Sequence, residues 1–484
     1  TTGFYNIAVG QCTLYNNTIG TSNTALGRSA LFANTTGNCN VAVGRSALES
    51  NTTGIENVSV GTCSLHENTT GNYNTSVGGS SLKNNTTGIN NTAVGYSAMI
   101  SNTIGINNTA IGTSTLYANT TGIDNVAIGA YALCKNTIGT SNTALGRSAL
   151  FANTTGTNNV AIGTCALLAN TTGNQNIAIG YQTLKANTVA VANTTVGYKS
   201  GEMITTSSRN VMMGVNTGGQ LVGGAGNNTY IGQTAGYWNS AGSFNVALGA
   251  DTLKGSSGSS FSSNTAIGSR ALYAITSGGQ NIGLGRNSGD NITTGSGNVI
   301  IGNVDATSAT GSRQLKIAGH DGTTTTTWIS GDSSGNITVP AGIHIGGTGD
   351  ANKLDDYEEG TWTPVYEGGT SNPTITYDGF TNGTYNKIGN MVFARGYIRT
   401  DSTSGGSGGL LIAGFPFNFP AQAYGATILT TSTFGWSTQP AFTLNDSNAD
   451  TVNLYDASGN GMTTSDLTNS ANSNVISFLA VYQV

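Results

Sequence analysis

Chemistry in proteins is mostly done by histidines, thiols and paired acids, and this chain of 484 residues carries few of each: 3 His, 5 Cys and 22 Asp and Glu. His344, within Gly342-Ile343-His344-Ile345-Gly346, would set three imidazoles around a metal if three chains met on an axis there, although no second His follows two residues on. The alternative is an ordinary solvated or packed imidazole. The sequence offers His66 and His320 no partner worth naming. Cys12 and Cys63 share one position of a repeat but lie three repeats apart, ~14 Å along a stack, too far to bridge. The thiols are therefore expected free, packed as small apolar groups, and no spacing suggests zinc. Glycoside hydrolysis needs two carboxyls about 5 to 9.5 Å apart, whereas Glu49, Glu56, Glu67, Asp124, Glu202, Asp251 and Asp290 are scattered. Asp446, Asp450 and Asp456 sit among turn-forming Asn, Ser and Gly, where acids cap backbone. With no nucleophile triad, phosphate loop or cofactor motif, no catalytic residue and no cofactor is expected. Sugar recognition needs aromatic faces beside acids and amides. Tyr424, Trp436, Asp446 and Tyr455 are the candidates for that, while Trp362 is expected in a core.

Whatever positions these side chains is built mainly from a repeat. Asn recurs every 17 residues from Asn6 to Asn210, then with small slips at Asn228, Asn245, Asn264, Asn281 and Asn298. Each of these eighteen Asn is followed four residues later by Gly, from Gly10 to Gly302. Position two is Thr, Val or Ile throughout and position four Val, Ile, Leu or Met, as in a short strand. Position three, mostly Ala or Ser, points the other way, and a face so small is expected to press against another surface. Leu or Met at position nine supplies a second apolar anchor, and Gly at positions five and fifteen supplies φ > 0 for corners. The unit thus reads as one coil of a β-solenoid or β-roll with two short strands and two turns. Ordering 17 residues costs roughly 17 to 34 kcal/mol, and a few buried aliphatic side chains return only about 5 to 10 kcal/mol. A coil alone is therefore unfolded and must stack, giving a rod of about 85 Å at ~4.8 Å per coil. The Ala/Ser face would then be covered by other copies, most simply in a trimer.

Two columns invite other readings. Asn34-Thr35-Thr36 fits a glycosylation sequon, though amide ladders and turns explain every such Asn. Thr at position thirteen in eleven successive coils, Thr18 to Thr188, could order ice, but its place beside a corner Gly argues against that. Asn17–Gly37 is repeated unchanged as Asn136–Gly156, which marks coils as interchangeable spacers. Thr1-Thr2-Gly3 matches the tail of the unit, which implies further chain upstream.

Past Gly302 the period is lost. Residues 303–356 read as a β-rich connector and residues 357–484 as a β-sandwich, since all six Pro and the strand-like runs Lys387–Ile398 and Val475–Tyr482 fall late in the chain. This last part holds nine acids against three bases, while the whole chain has a net charge of −5 and only 8% charged residues. No basic cluster exists to collect phosphates, so nucleic acid is not an expected partner. No apolar run approaches the ~18 residues needed to insert in a membrane.

Two resemblances carry function. The Asn-Thr/Val-Ala-Val/Ile-Gly unit resembles the repeats of trimeric autotransporter adhesin heads, which implies a trimeric left-handed parallel β-roll. The runs Asp355–Pro364, Gly383–Gly389 and Ile412–Phe417 resemble the C-terminal domains of bacteriophage tail fibres. Together they imply an all-β homotrimer, with a solenoid shaft over 1–302 and a C-terminal tip. Such a protein is a non-enzymatic, extracellular component of the virion tail. It contacts other tail proteins through upstream residues and binds a host surface glycan or protein; for that contact the candidates in this chain are the Tyr424, Trp436, Asp446 and Tyr455 chosen above on their chemistry. A bacterial trimeric surface adhesin and a polysaccharide depolymerase spike are the alternatives.

Overall fold

The computed structural model describes residues 2–224, 226–344, 353–354, 357–419, 427–431, 435–445 and 451–484, in two compact units, Thr1–Thr338 and Val339–Val484. The chain is all-β. Each repeat of the first unit contributes one three-residue strand, from Ile7–Val9 to Val299–Ile301, eighteen in all, and each pairs in parallel with the next. Like positions stack directly: Ile7 lies on Thr24, Ala8 on Ala25 and Val9 on Leu26. The expected β-solenoid is therefore present.

Its strand faces are opposite to expectation. Ala25, Ala42, Ala93 and Ala127 at position three are fully buried, while their neighbours at positions two and four are half-buried or exposed. The Ala/Ser face lines the interior of its own coil, against Ala30 and Leu31 and their equivalents at positions eight and nine. It is not a surface left for other copies. A 17-residue loop encloses so little volume that a methyl group facing a leucine fills it at interior density, and the bulkier Val, Ile and Leu are displaced outward.

The second expected strand is replaced by an arc of turns over positions six to eleven. Positions seven and nine lie in the left-handed region, Cys12 at φ 59° and Leu14 at φ 48°. The arc still bonds coil to coil, for example Leu14 N–H to the Ala30 carbonyl at 3.1 Å. Of the two corner glycines, position five needs its conformational freedom, with Gly27 at φ 134°. Position fifteen needs space instead, because a Cβ on Gly20 would collide with the Gly37 carbonyl and the Asn17 side chain.

The parallel ladder runs past Gly302 into Leu315–His320, which Thr325–Gly331 and then Ile337–Thr338 follow antiparallel. The 303–356 segment is thus divided between the two units. In the second unit the larger antiparallel sheet orders Tyr357–Trp362, Asn382–Ile388, Met391–Ser404, Ser473–Gln483 and Thr427–Thr431, with Thr374–Tyr377 also on Met391–Ser404. The smaller sheet orders Val365–Gly368, Leu410–Ala413, Val452–Tyr455 and Phe442–Asn445. Trp362, Ile476 and Phe478 of the larger sheet share one apolar cluster with Tyr366, Ile412 and Val452 of the smaller, so the unit is a two-sheet sandwich.

Candidate functional site

Of the four residues that sequence reasoning chose for binding, Tyr424 and Asp446 lie outside the described residues. Trp436 is half-buried. Its indole N–H donates to the Val475 carbonyl at 3.1 Å, and its ring meets Tyr366 edge-on at 5.7 Å between centroids. Tyr455 closes the strand Val452–Tyr455, paired along the backbone with Phe442 and bridged to Gly461. Trp436 thus packs against the core cluster. Trp362 is buried, stacked on Phe415 at 4.8 Å. His344 lies on the short strand Ile343–His344, paired with Lys353–Leu354, and its side chain falls outside the described residues. Among the described residues no group of three His, Cys, Asp or Glu could hold a metal. Asp456 caps a turn, accepting the Asn460 side-chain amide at 3.0 Å and the Asn460 and Ser458 backbone N–H groups at 2.8 and 2.9 Å, and these bonds hold its carboxyl below the usual range.

The shaft acids mostly have basic neighbours. His66 bridges Glu49 at 3.1 Å and Glu67 at 2.9 Å, two partners that sequence inspection overlooked. Glu202 faces Lys185 and Lys199, and Asp251 faces Lys254. Asp290 differs: burial and a hydrogen bond to Asp305 raise its pKa, opposed by Arg270 at 3.6 Å. The pair lines a concavity of about 390 Å³ with Asn287, Asn303, Lys316 and Thr325. It escaped the sequence because these two acids are 15 residues apart, across a slip of the 17-residue period.

The polar columns are structural. Asn34 Nδ2 donates to Asn17 Oδ1 at 2.8 Å and to the Gly37 carbonyl at 3.0 Å, and the pattern recurs coil by coil. These Asn are fully buried, which removes them as glycosylation acceptors. The Thr hydroxyls at position thirteen donate to the Thr carbonyl one coil on, from Thr18 to Thr35 at 2.8 Å through Thr188 to Thr205 at 3.2 Å. The free thiols do not all pack inside: Cys12 and Cys39 are exposed on left-handed corners.

What remains unpartnered in the shaft is the outward strand face. Position four is apolar in every coil, and Leu26, Leu145, Met213 and Leu284 are 46%, 44%, 46% and 44% exposed. Position two alternates Thr with Val and Ile, and neither column contains a charge in eighteen coils. Most charged side chains stand on the turn arc instead, as Lys185, Lys199 and Arg270 do.

No family model matches the chain, and no curated protein matches it. Among solved structures it is similar to the Dettilon tailspike protein, at 12% identity over 99% of this chain and 85% of that one, with a TM-score of 0.21. A score of that size lies below the level of a shared fold.

Proposed function

We propose that the chain is a structural fibre or spike protein of a bacteriophage tail. In this reading three copies associate along their coils, and residues 357–484 bind a glycan or protein on the host surface without a catalytic step. The location is the exterior of the virion tail, with other tail proteins as partners through upstream residues. The observation that carries this reading is the uncharged apolar strand face. Eighteen apolar residues in one column expose on the order of 1,000 Å², well above the ~300 to 600 Å² of the largest patch on a typical monomer. That area also matches the roughly 800 Å² that each partner buries in a stable interface. Coils in constant register let copies lie side by side over their whole length, and closed threefold symmetry, implied by the fibres this sequence resembles, directs every column at one axis. The phage assignment is supported by the sequence runs at 355–364, 383–389 and 412–417.

Binding is favoured over cleavage because most of the described shaft acids face bases, and Asp290 and Asp305 face each other. Sedimentation equilibrium of the purified chain is expected to give three times the 49.0 kDa chain mass. Host cells incubated with the chain should lose phage adsorption while their polysaccharide releases no reducing ends. A monomer at micromolar concentration would overturn the shaft reading, and release of reducing ends would replace binding by depolymerisation.

A further inference from the structure

The larger sheet of the C-terminal unit has an outward face as well as the face that meets the core. A concavity of about 400 Å³ lies on it, lined by Asn382, Thr384, Arg395, Tyr397, Ser477 and Leu479. These residues form two rows across three strands: Asn382, Tyr397 and Ser477 are register partners in one, Thr384, Arg395 and Leu479 in the other. Between the rows run Gly383 and Gly396, paired with each other. A Cβ on Gly396 would strike the Phe478 ring, and one on Gly383 the Trp362 indole. The core aromatics therefore press against the sheet from below and hold the floor of the basin rigid.

Charge singles out one side chain here. Residues 357–484 carry nine acids and three bases. Arg399 is paired with Asp378, and the Lys387 ammonium lies 5.6 Å from the centre of the Phe417 ring. Arg395 has no ion-pair partner among the described residues, although the domain around it is acidic. It stands in the basin beside a phenol, an amide and a hydroxyl. An aromatic ring accepts the apolar face of a pyranose, amides and hydroxyls pair with sugar hydroxyls, and a guanidinium fork fits a carboxylate in bidentate fashion.

We propose that this basin binds an acidic saccharide, with a uronate carboxylate on Arg395, the sugar ring against Tyr397, and Asn382 and Thr384 on its hydroxyls. The inference deepens the attachment reading by naming the chemistry of the receptor, and its biological meaning rests on that reading. The test is calorimetric titration of the full chain with short oligogalacturonates and with neutral galactose oligomers of equal length. The acidic oligomer should bind at least about tenfold more tightly, and Arg395→Gln should abolish that preference. Arg395→Lys should keep part of it, and Tyr397→Ala should weaken both ligands. Because Arg395 projects outside the core, Arg395→Gln should melt with the parent chain. Equal affinity for the two oligomers, no binding of the acidic one at millimolar concentration, or full binding by Arg395→Gln would each overturn the proposal. If parent and Arg395→Gln chains block host-cell adsorption equally, the basin is rejected and attachment stands. If the parent fails on cells but binds oligogalacturonate through Arg395, the basin stands and attachment is rejected.

Discussion

Tyr230 occupies a position that most other coils give to Ala or Ser, and it is fully buried. Its hydroxyl donates to Asn228 Oδ1 at 3.2 Å and accepts from Asn239 Nδ2 at 2.7 Å. Burial raises its pKa far above the ordinary value, and the amide donors of Asn239 and Asn245 only partly oppose that. A tyrosine in the unfolded chain ionises near pH 10, so the stability from the neutral buried phenol is complete below about pH 10 and is lost progressively above it. The Tyr230→Phe chain should therefore lose less melting temperature than the parent between about pH 9 and 11, measured by circular dichroism. The amide ladder makes a second prediction. Asn102 donates to Asn85 Oδ1 and the Gly105 carbonyl and accepts from Asn119 Nδ2. Asn102→Ala strips the buried Asn85 Oδ1 of its donor and one Asn119 N–H of its acceptor, while the Gly105 carbonyl keeps Asn91 Nδ2, and should cost about 1 to 3 kcal/mol in denaturant unfolding. The ladder was legible from the spacing of Asn alone. The left-handed backbone at Leu14 and Cys12 was not, since nothing in a leucine or a thiol favours positive φ; the closed hydrogen-bonded arc imposes it at roughly 1 to 2 kcal/mol per residue.

Each coil behaves as a container of constant volume. Where position three grows to Met212 or Tyr230, position nine shrinks from Leu to Gly218 or Gly236, and a Cβ on either glycine would collide with the larger side chain. Where Gly201 or Gly289 takes position nine, Ile204 or Ile292 fills the interior from position twelve. Gly236→Leu alone should overpack the coil. Tyr230→Ala alone should leave a cavity costing about 3 to 5 kcal/mol. The double variant Tyr230→Ala/Gly236→Leu rebuilds the standard coil, and a denaturation cycle should show the two changes rescuing each other by about 1 to 3 kcal/mol. This exchange also explains how the strand faces were misassigned. Alternation says which residues share a face, but only the volume a coil can enclose says which face is inside, and Ala with Leu satisfies that volume where Val with Ile would exceed it.

For the molecule as a whole, the outward columns are the feature to perturb. Ile128→Asp with Leu145→Asp places charges in the apolar stripe while leaving the coil interior of Ala127 and Ala144 untouched. If the proposed trimer forms through these columns, sedimentation should then shift from three chains toward one while the far-UV spectrum keeps its β-sheet shape. The repeat, the coil count and the two-sheet sandwich could be read from the chain because each depends on local periodicity. Which aromatics face the core could not, because one that stacks on a ligand and one that packs inside look alike in sequence; Trp436 packs against the apolar cluster. Asp290 and Asp305 meet only through a slip in the period, and Arg395 draws notice only once its neighbours on adjacent strands are known.

Most coils present their neighbours with the same seam, Ala on Ala and Asn on Asn. A gene that spells Asn17–Gly37 again at Asn136–Gly156 offers matching tracts seven coils apart for misaligned recombination. Such an event would remove or add whole coils and leave every seam as before. Descendants would differ in reach by steps as large as roughly 34 Å and hardly at all in how firmly they hold together, which makes length a trait that selection can adjust without first repairing the fold.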